Sequence, residues 1–173
     1  MSLGDFKGKF GQGIRPNLYQ VTGNFGSGGD LIADEALLIK AASMPSASLG
    51  VVTVPFKGRE IKRAGDRTFS DWTISVLCDE ENAIHEKFIN WSNSFYSLDD
   101  TNRGLAYGDW RVSPLSVAIA NNQSVAGDIP AGKTIILEQC WPAEVGTIDF
   151  SYDTTDAVAE FSVTIGFDHW KFE

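Results

Sequence analysis

The sequence predicts a mainly β protein: two packed antiparallel sheets, as a sandwich or partly open barrel, with one flanking α-helix. Two observations carry this. Apolar residues alternate with polar ones at period two in segment after segment, and a single stretch shows the four-three-four spacing of a helix face. At 173 residues and 43% hydrophobic, the chain can bury one core. It reads as one domain over residues 15–173 behind a flexible, Gly-containing arm over residues 1–14.

In chain order, short strands are expected over Leu18 to Asn24 and Ala36 to Ala42. Val52, Val54 and Phe56 alternate with Thr53, Pro55 and Lys57, as expected of a strand with one buried face. A basic loop then leads to the strand of Trp72, Ile74, Val76 and Cys78, with Thr73 and Ser75 opposite. From Glu80 to about Tyr96 the period changes. Ile84, Phe88, Trp91 and Phe95 form one helix face, which predicts a helix covering the sheets with these four in the core. Asp79 is placed to cap it, and Glu80 and Glu81 suit the positive end of its dipole. After a polar loop over Ser97 to Asp109, strands are expected at Leu115, Val117 and Ile119 and over Thr134 to Cys140. A further strand is predicted by Ile148, Phe150 and Tyr152 against Asp149, Ser151 and Asp153. The last and most regular sets Phe161, Val163, Ile165 and Phe167 against Ser162, Thr164, Gly166 and Asp168.

Charge narrows the function. The net charge is −9, and a protein that grips DNA through its phosphates is basic, so most of this surface repels nucleic acid. Lys57 to Arg67 is the exception: five basic residues (Lys57, Arg59, Lys62, Arg63, Arg67) against Glu60 and Asp66 give it +3 and leave −12 on the remainder. A basic loop on an acidic body is self-complementary between copies, although a solvated hairpin loop accounts for the same charges. Cys78 and Cys140 lack CxxC spacing and read as buried free thiols; two Cys and two His do not suffice for a zinc site. His85 lies off the helix stripe and His169 beside Trp170, neither with a nucleophile arranged around it. No run reaches the length of a membrane span, so no membrane anchor is expected. Met1 to Gln12 carries Gly, Asp and Lys where a signal peptide is apolar, and use without secretion is expected.

One motif competes with a structural reading. Gly127-Asp-Ile-Pro-Ala-Gly132-Lys133-Thr134 satisfies the phosphate-loop pattern, which requires the loop to open into a helix whose amides hold the phosphates. The segment after it, Ile135 to Pro142, is β-branched and stopped by proline. A strand is expected there, and the match reads as a hairpin coincidence. No cofactor, metal or catalytic group is expected. Gly23 to Asp30 is likewise a turn and not a dinucleotide fingerprint.

Ala64-Gly-Asp-Arg-Thr-Phe-Ser-Asp-Trp-Thr73, with the apolar strand, acidic step and aromatic helix after it, resembles the tail tube proteins of contractile-tailed bacteriophages. Arg15-Pro-Asn-Leu-Tyr-Gln-Val21, Trp141-Pro-Ala-Glu-Val-Gly146 and Phe161-Ser-Val-Thr-Ile-Gly-Phe-Asp-His-Trp170 agree in order, so the likeness runs from about residue 15 to the end. The arm before Arg15, the Gly23 to Asp30 loop and a long turn from Asn121 to Lys133 depart from it. The resemblance implies hexameric rings whose inner strands join into one barrel, stacked into a tube that conducts DNA during ejection. It implies other copies of itself, a tail sheath protein, and baseplate and tail-terminator proteins as partners. DNA would be a cargo that does not stick, and the protein would be assembled in the host cytoplasm and carried in the virion. Arg59, Lys62, Arg63, Asp66 and Arg67 match the region that reaches neighbouring subunits. A channel wall that releases DNA is acidic or neutral, so its candidates are Asp149, Ser151 and Asp153, or Ser162, Thr164, Gly166 and Asp168. Three alternatives remain: a tube initiator or baseplate-junction protein, the inner tube of a contractile injection system, and, distantly, a nucleotide hydrolase built on Gly127 to Thr134.

Overall fold

The computed structural model of the chain describes residues 2–11, 16–17, 19–24, 30–31, 33–95, 115–119, 134–153 and 155–172. The elements run α1 (Leu3–Phe10), β1 (Tyr19–Asn24), β2 (Asp30–Leu31), α2 (Ala33–Ala36), β3 (Ile39–Ala42), β4 (Ala47–Phe56), β5 (Arg59–Phe69), β6 (Trp72–Leu77), α3 (Ala83–Asn93), β7 (Leu115–Ile119), β8 (Thr134–Glu138), β9 (Trp141–Val145), β10 (Glu160–Gly166) and β11 (His169–Phe172). They build a five-stranded sheet, β11-β8-β7-β1-β2, and a four-stranded sheet, β3-β6-β10-β9, with β4 and β5, among the described residues, paired only to each other. All pairings are antiparallel. The mainly β expectation holds, as a sandwich that does not close into a barrel.

Alternation dictates the core. In β6 and β10, Trp72 faces Ile165, Ile74 faces Val163 and Val76 faces Phe161, all buried. Val21 of β1, Ile135 and Leu137 of β8 and Ile84, Phe88 and Trp91 of α3 join the same cluster, so one core unites both sheets and the helix. Phe161 receives Phe88 edge-on at 6.1 Å and His85 at 5.0 Å. Gly166 lets β9 close on β10: a Cβ there would lie 2.5 Å from the Trp141 ring.

Asp79 caps α3 as expected, its carboxylate accepting from the N–H groups of Ala83 (3.1 Å) and Ile84 (3.4 Å). The helix starts later than predicted, because Asn82 N–H closes a turn on Asp79 C=O and Asn82 adopts φ 56°. Glu80 and Glu81 therefore precede the helix, and Glu86 is its acidic first-turn residue. At the other end Ser94 is the C-cap, and Phe95 packs half-buried against the core just past it.

Other differences have local causes. Within the predicted strand from Ala36 to Ala42, only Ile39–Ala42 pairs, because α2 occupies Ala33–Ala36. The arm holds a helix, α1, fixed by a capping box in which Ser2 Oγ accepts from Asp5 N–H and Asp5 Oδ2 accepts from Ser2 N–H. Residues 148–153 form no strand. Four strands were not predicted: the two-residue β2, β5, which occupies the expected basic loop, and β9 and β11. β9 contains Pro142, tolerated because β9 is a sheet edge; β11 follows a turn at Phe167 and Asp168 that carries the chain from one sheet to the other.

Candidate assembly surface

The basic segment is not a loop. Lys57 and Gly58, at φ 45° and 78°, make the tight turn of a long hairpin, and both φ values are those a two-residue hairpin loop of the favoured hand requires. Residues 59–69 are its second strand. Every residue from 47 to 64 is exposed, so β4, expected to bury one face, buries neither.

Register sorts the side chains. Val52 pairs with Arg63, Val54 with Ile61 and Phe56 with Arg59, placing these six on one face. Thr53 with Lys62, Val51 with Ala64 and Leu49 with Arg67 take the other. Between them Gly65 and Asp66 face Gly50 across a bulge. The sequence-predicted cluster is thus divided, with Arg59 and Arg63 flanking an apolar row and Lys62 and Arg67 behind it. Among the described residues, no ion pair involves these basic groups.

The row is a large apolar surface in water: Val52, Val54, Phe56 and Ile61 are 52, 49, 58 and 45% exposed. An isolated two-stranded hairpin is marginal in water, and free strand edges with exposed apolar surface invite pairing. Its root is firm. Phe69 packs 6.0 Å from Phe167, and the indole N–H groups of Trp72 and Trp170 donate to the carbonyls of Ser43 and Ser46 in the segment leading into β4.

Two more exposed apolar surfaces escaped sequence reasoning. In α1, Leu3, Phe6 and Phe10 share one helix face, the two rings stacked at 5.5 Å, and none of the helix is buried. Between β9 and β10, Phe150 is 85% exposed and Tyr152 fully exposed. A period-two pattern with no pairing partner in the chain was the available signal for the second.

The channel-wall candidates separate. Ser162 and Thr164 lie on the outer face of the four-stranded sheet opposite Ser75 and Thr73, with the Thr73 and Thr164 hydroxyls 3.4 Å apart. Gly166 is buried under Trp141, and Asp168 sits in the turn after β10, its N–H donating to Glu138 C=O. Asp149, Ser151 and Asp153 belong to the exposed connection and to no strand face.

The titratable groups point to structure. Glu138 accepts a hydrogen bond from Lys171 on β11 and lies 3.5 Å from His169, and the Lys171 bond holds its carboxyl below the usual glutamate range. Cys78 and Cys140 are thiols not joined in a disulfide, and burial with Asp79 nearby pushes Cys78 up. Among the described residues, no three His, Cys, Asp or Glu side chains are grouped to hold a metal, and no helix is long and apolar enough to cross a membrane. Gly127 to Lys133 lie outside the described residues, but Thr134 opens β8, so the phosphate-loop pattern leads into a strand. A strand there takes the place of the helix whose N-terminal amides would hold phosphate.

Residues 9–173 match the family model described as phage tail tube protein. The chain is 28% identical over 161 residues to the tail tube protein gp19 of Enterobacteria phage T4, covering 93% of each chain. Its fold matches a chain of the sheath/tube terminator of an extracellular contractile injection system, PVC, in the extended state (TM-score 0.64, 12% identity, 92% of this chain and 96% of that one). It also matches a chain of the PVC sheath-tube complex in the extended state (TM-score 0.63, 13% identity, 100% and 98%).

Proposed function

Since the chain belongs to the phage tail tube protein family, and is a structural subunit rather than an enzyme, we propose that its copies form hexameric rings that stack into the inner tube of a contractile tail and conduct DNA during ejection. The observation that carries the assembly mode is the hairpin. A firmly rooted, exposed arm with an apolar row between arginines is stable in an assembly that covers it, and the −12 of the remaining chain supplies a complementary surface on another copy. Arg59, Lys62, Arg63, Asp66 and Arg67 are its polar contacts.

Ser162 and Thr164, with Thr73 and Ser75, form the channel wall. This face is polar and carries no basic side chain except Lys40, which Glu160 neutralises at 2.6 Å. Repeated by symmetry, it offers DNA phosphates no trap, whereas a ring of lysines would bind them by counterion release. A sheath around the tube, a baseplate below and a terminator above are the partners, and assembly takes place in the host cytoplasm before incorporation into the virion. A sheath-bound role is supported by the likeness of fold to the PVC tube complex.

The experiment is negative-stain microscopy of the purified chain across concentration, alone and with a baseplate nucleus. Hollow tubes or stacked rings are expected. Dispersed monomers under both conditions would overturn the reading.

A further inference from the structure

Residues 146–159 connect β9 to β10, a connection of a length that is usually functional when it lacks secondary structure. Within it, Ile148, Phe150 and Tyr152 alternate with Asp149, Ser151 and Asp153, which is the pattern of a strand, yet among the described residues no strand of the same chain pairs with it. On the hairpin, β5 has the opposite deficit. It pairs with β4 on one side only, leaving a row of backbone N–H and C=O groups free on the other.

We propose that residues 148–153 add as a strand to the free β5 edge of the hairpin of a second copy of this chain. The proposal rests on the reading of the hairpin as an assembly arm and names what that arm receives. Strand addition gives affinity through backbone hydrogen bonds and specificity through alternate side chains. Both faces match here. Phe150 and Tyr152 come to lie beside Arg59, Ile61 and Arg63, an apolar side chain between two cations that suit aromatic faces. Asp149 and Asp153 come to lie on the other face, which carries Lys62 and Arg67, in no ion pair among the described residues, with Glu60 nearer the turn. The turn at Tyr152 and Asp153 must open, and with it the 3.3 Å contact from Asp153 N–H to Ser151 Oγ. The exposed Glu80 and Glu81 carry the same charge without flanking exposed aromatics, so charge alone does not select them.

The test compares polymerisation thresholds by sedimentation. Asp149→Lys with Asp153→Lys, and separately Lys62→Glu with Arg67→Glu, should each raise the threshold at least tenfold, and the four substitutions together should restore most of it. Glu80→Lys with Glu81→Lys makes the same change of charge elsewhere and should neither raise the threshold nor rescue the Lys62→Glu, Arg67→Glu chain. A loop-reversed chain that polymerises at the wild-type threshold, or rescue by the Glu80 and Glu81 changes, overturns the proposal. If the hairpin reversal blocks polymers while the loop reversal does not, this contact falls and the tube reading stands; if the wild type forms no tubes, the tube reading itself falls. Should a reversed chain misfold, Tyr152→Cys paired in turn with Arg59→Cys, Ile61→Cys and Arg63→Cys gives a second measure. One pair is expected to yield an oxidised ladder of covalent oligomers in assembled tubes, and no ladder from any pair overturns the proposal.

Discussion

Replacing Val52, Val54 and Phe56 together by Ser separates folding from assembly. In the single chain these side chains are 52, 49 and 58% exposed and bury none of the core, and surface substitutions of this kind stay within about 0.5 kcal/mol of neutral each. For a domain of this size a loss of 1 kcal/mol lowers Tm by about 2–4 °C, so the melt should move only a few degrees. Assembly is another matter. Fully burying a Val or Phe side chain stabilises by about 1.5–3 kcal/mol, so covering the half that remains exposed contributes about 1 kcal/mol per residue and about 3 kcal/mol for the row. At about 1.4 kcal/mol per decade this is on the order of 100-fold in affinity at each contact between copies. The assay pairs a circular-dichroism melt with sedimentation across concentration. A large fall in Tm would mean that the row packs within its own chain. Polymers at the wild-type threshold would mean that no copy covers it, and either result refutes the reasoning.

Trp91, fully buried on α3, should cost about 3–5 kcal/mol on truncation to Ala, giving poorly soluble protein or a Tm lower by more than about 6 °C; a soluble variant with an unchanged melt would make this helix face an interface instead. Glu138 is held below its usual range of about 4.5 by Lys171, so its contribution is complete above that value and is lost as pH falls through the lower, folded-state range. Glu138→Gln should therefore show a shallower loss of stability on acidification than the wild type, measured by melts between about pH 5 and pH 3, and identical slopes would deny the bond its role.

Where one face of an element meets the core, its pattern was legible. β6, β10 and α3 keep strict periods because Trp72, Ile74, Val76, Phe161, Val163, Ile165, Ile84, Phe88 and Trp91 all enter one cluster. The hairpin shows the converse. Val52, Val54 and Phe56 alternate as a half-buried strand does, and the proposed burial between copies obeys the same pattern as burial within a chain. The second strand was read as a loop because charge hides its alternation: of its residues only Ile61 and Phe69 are large and apolar. The same ambiguity applies to residues 148–153, patterned as a strand but in no strand among the described residues. β9 was obscured by Pro142 and β11 by its length of four residues, while α1 was obscured by Gly4 and Gly8. Polarity alone singles out Ser162 and Thr164 as candidates for the channel wall, and register adds the neighbours, Ser75 and Thr73, that complete a polar surface.

The most direct test of the account is a reconstruction of the reconstituted tube at side-chain detail. It should show each hairpin laid against a neighbouring copy with Val52, Val54 and Phe56 covered, and a lumen lined by Thr73, Ser75, Ser162 and Thr164. Hairpins projecting into solvent with that row uncovered, or a lumen wall dominated by Lys and Arg, would contradict it.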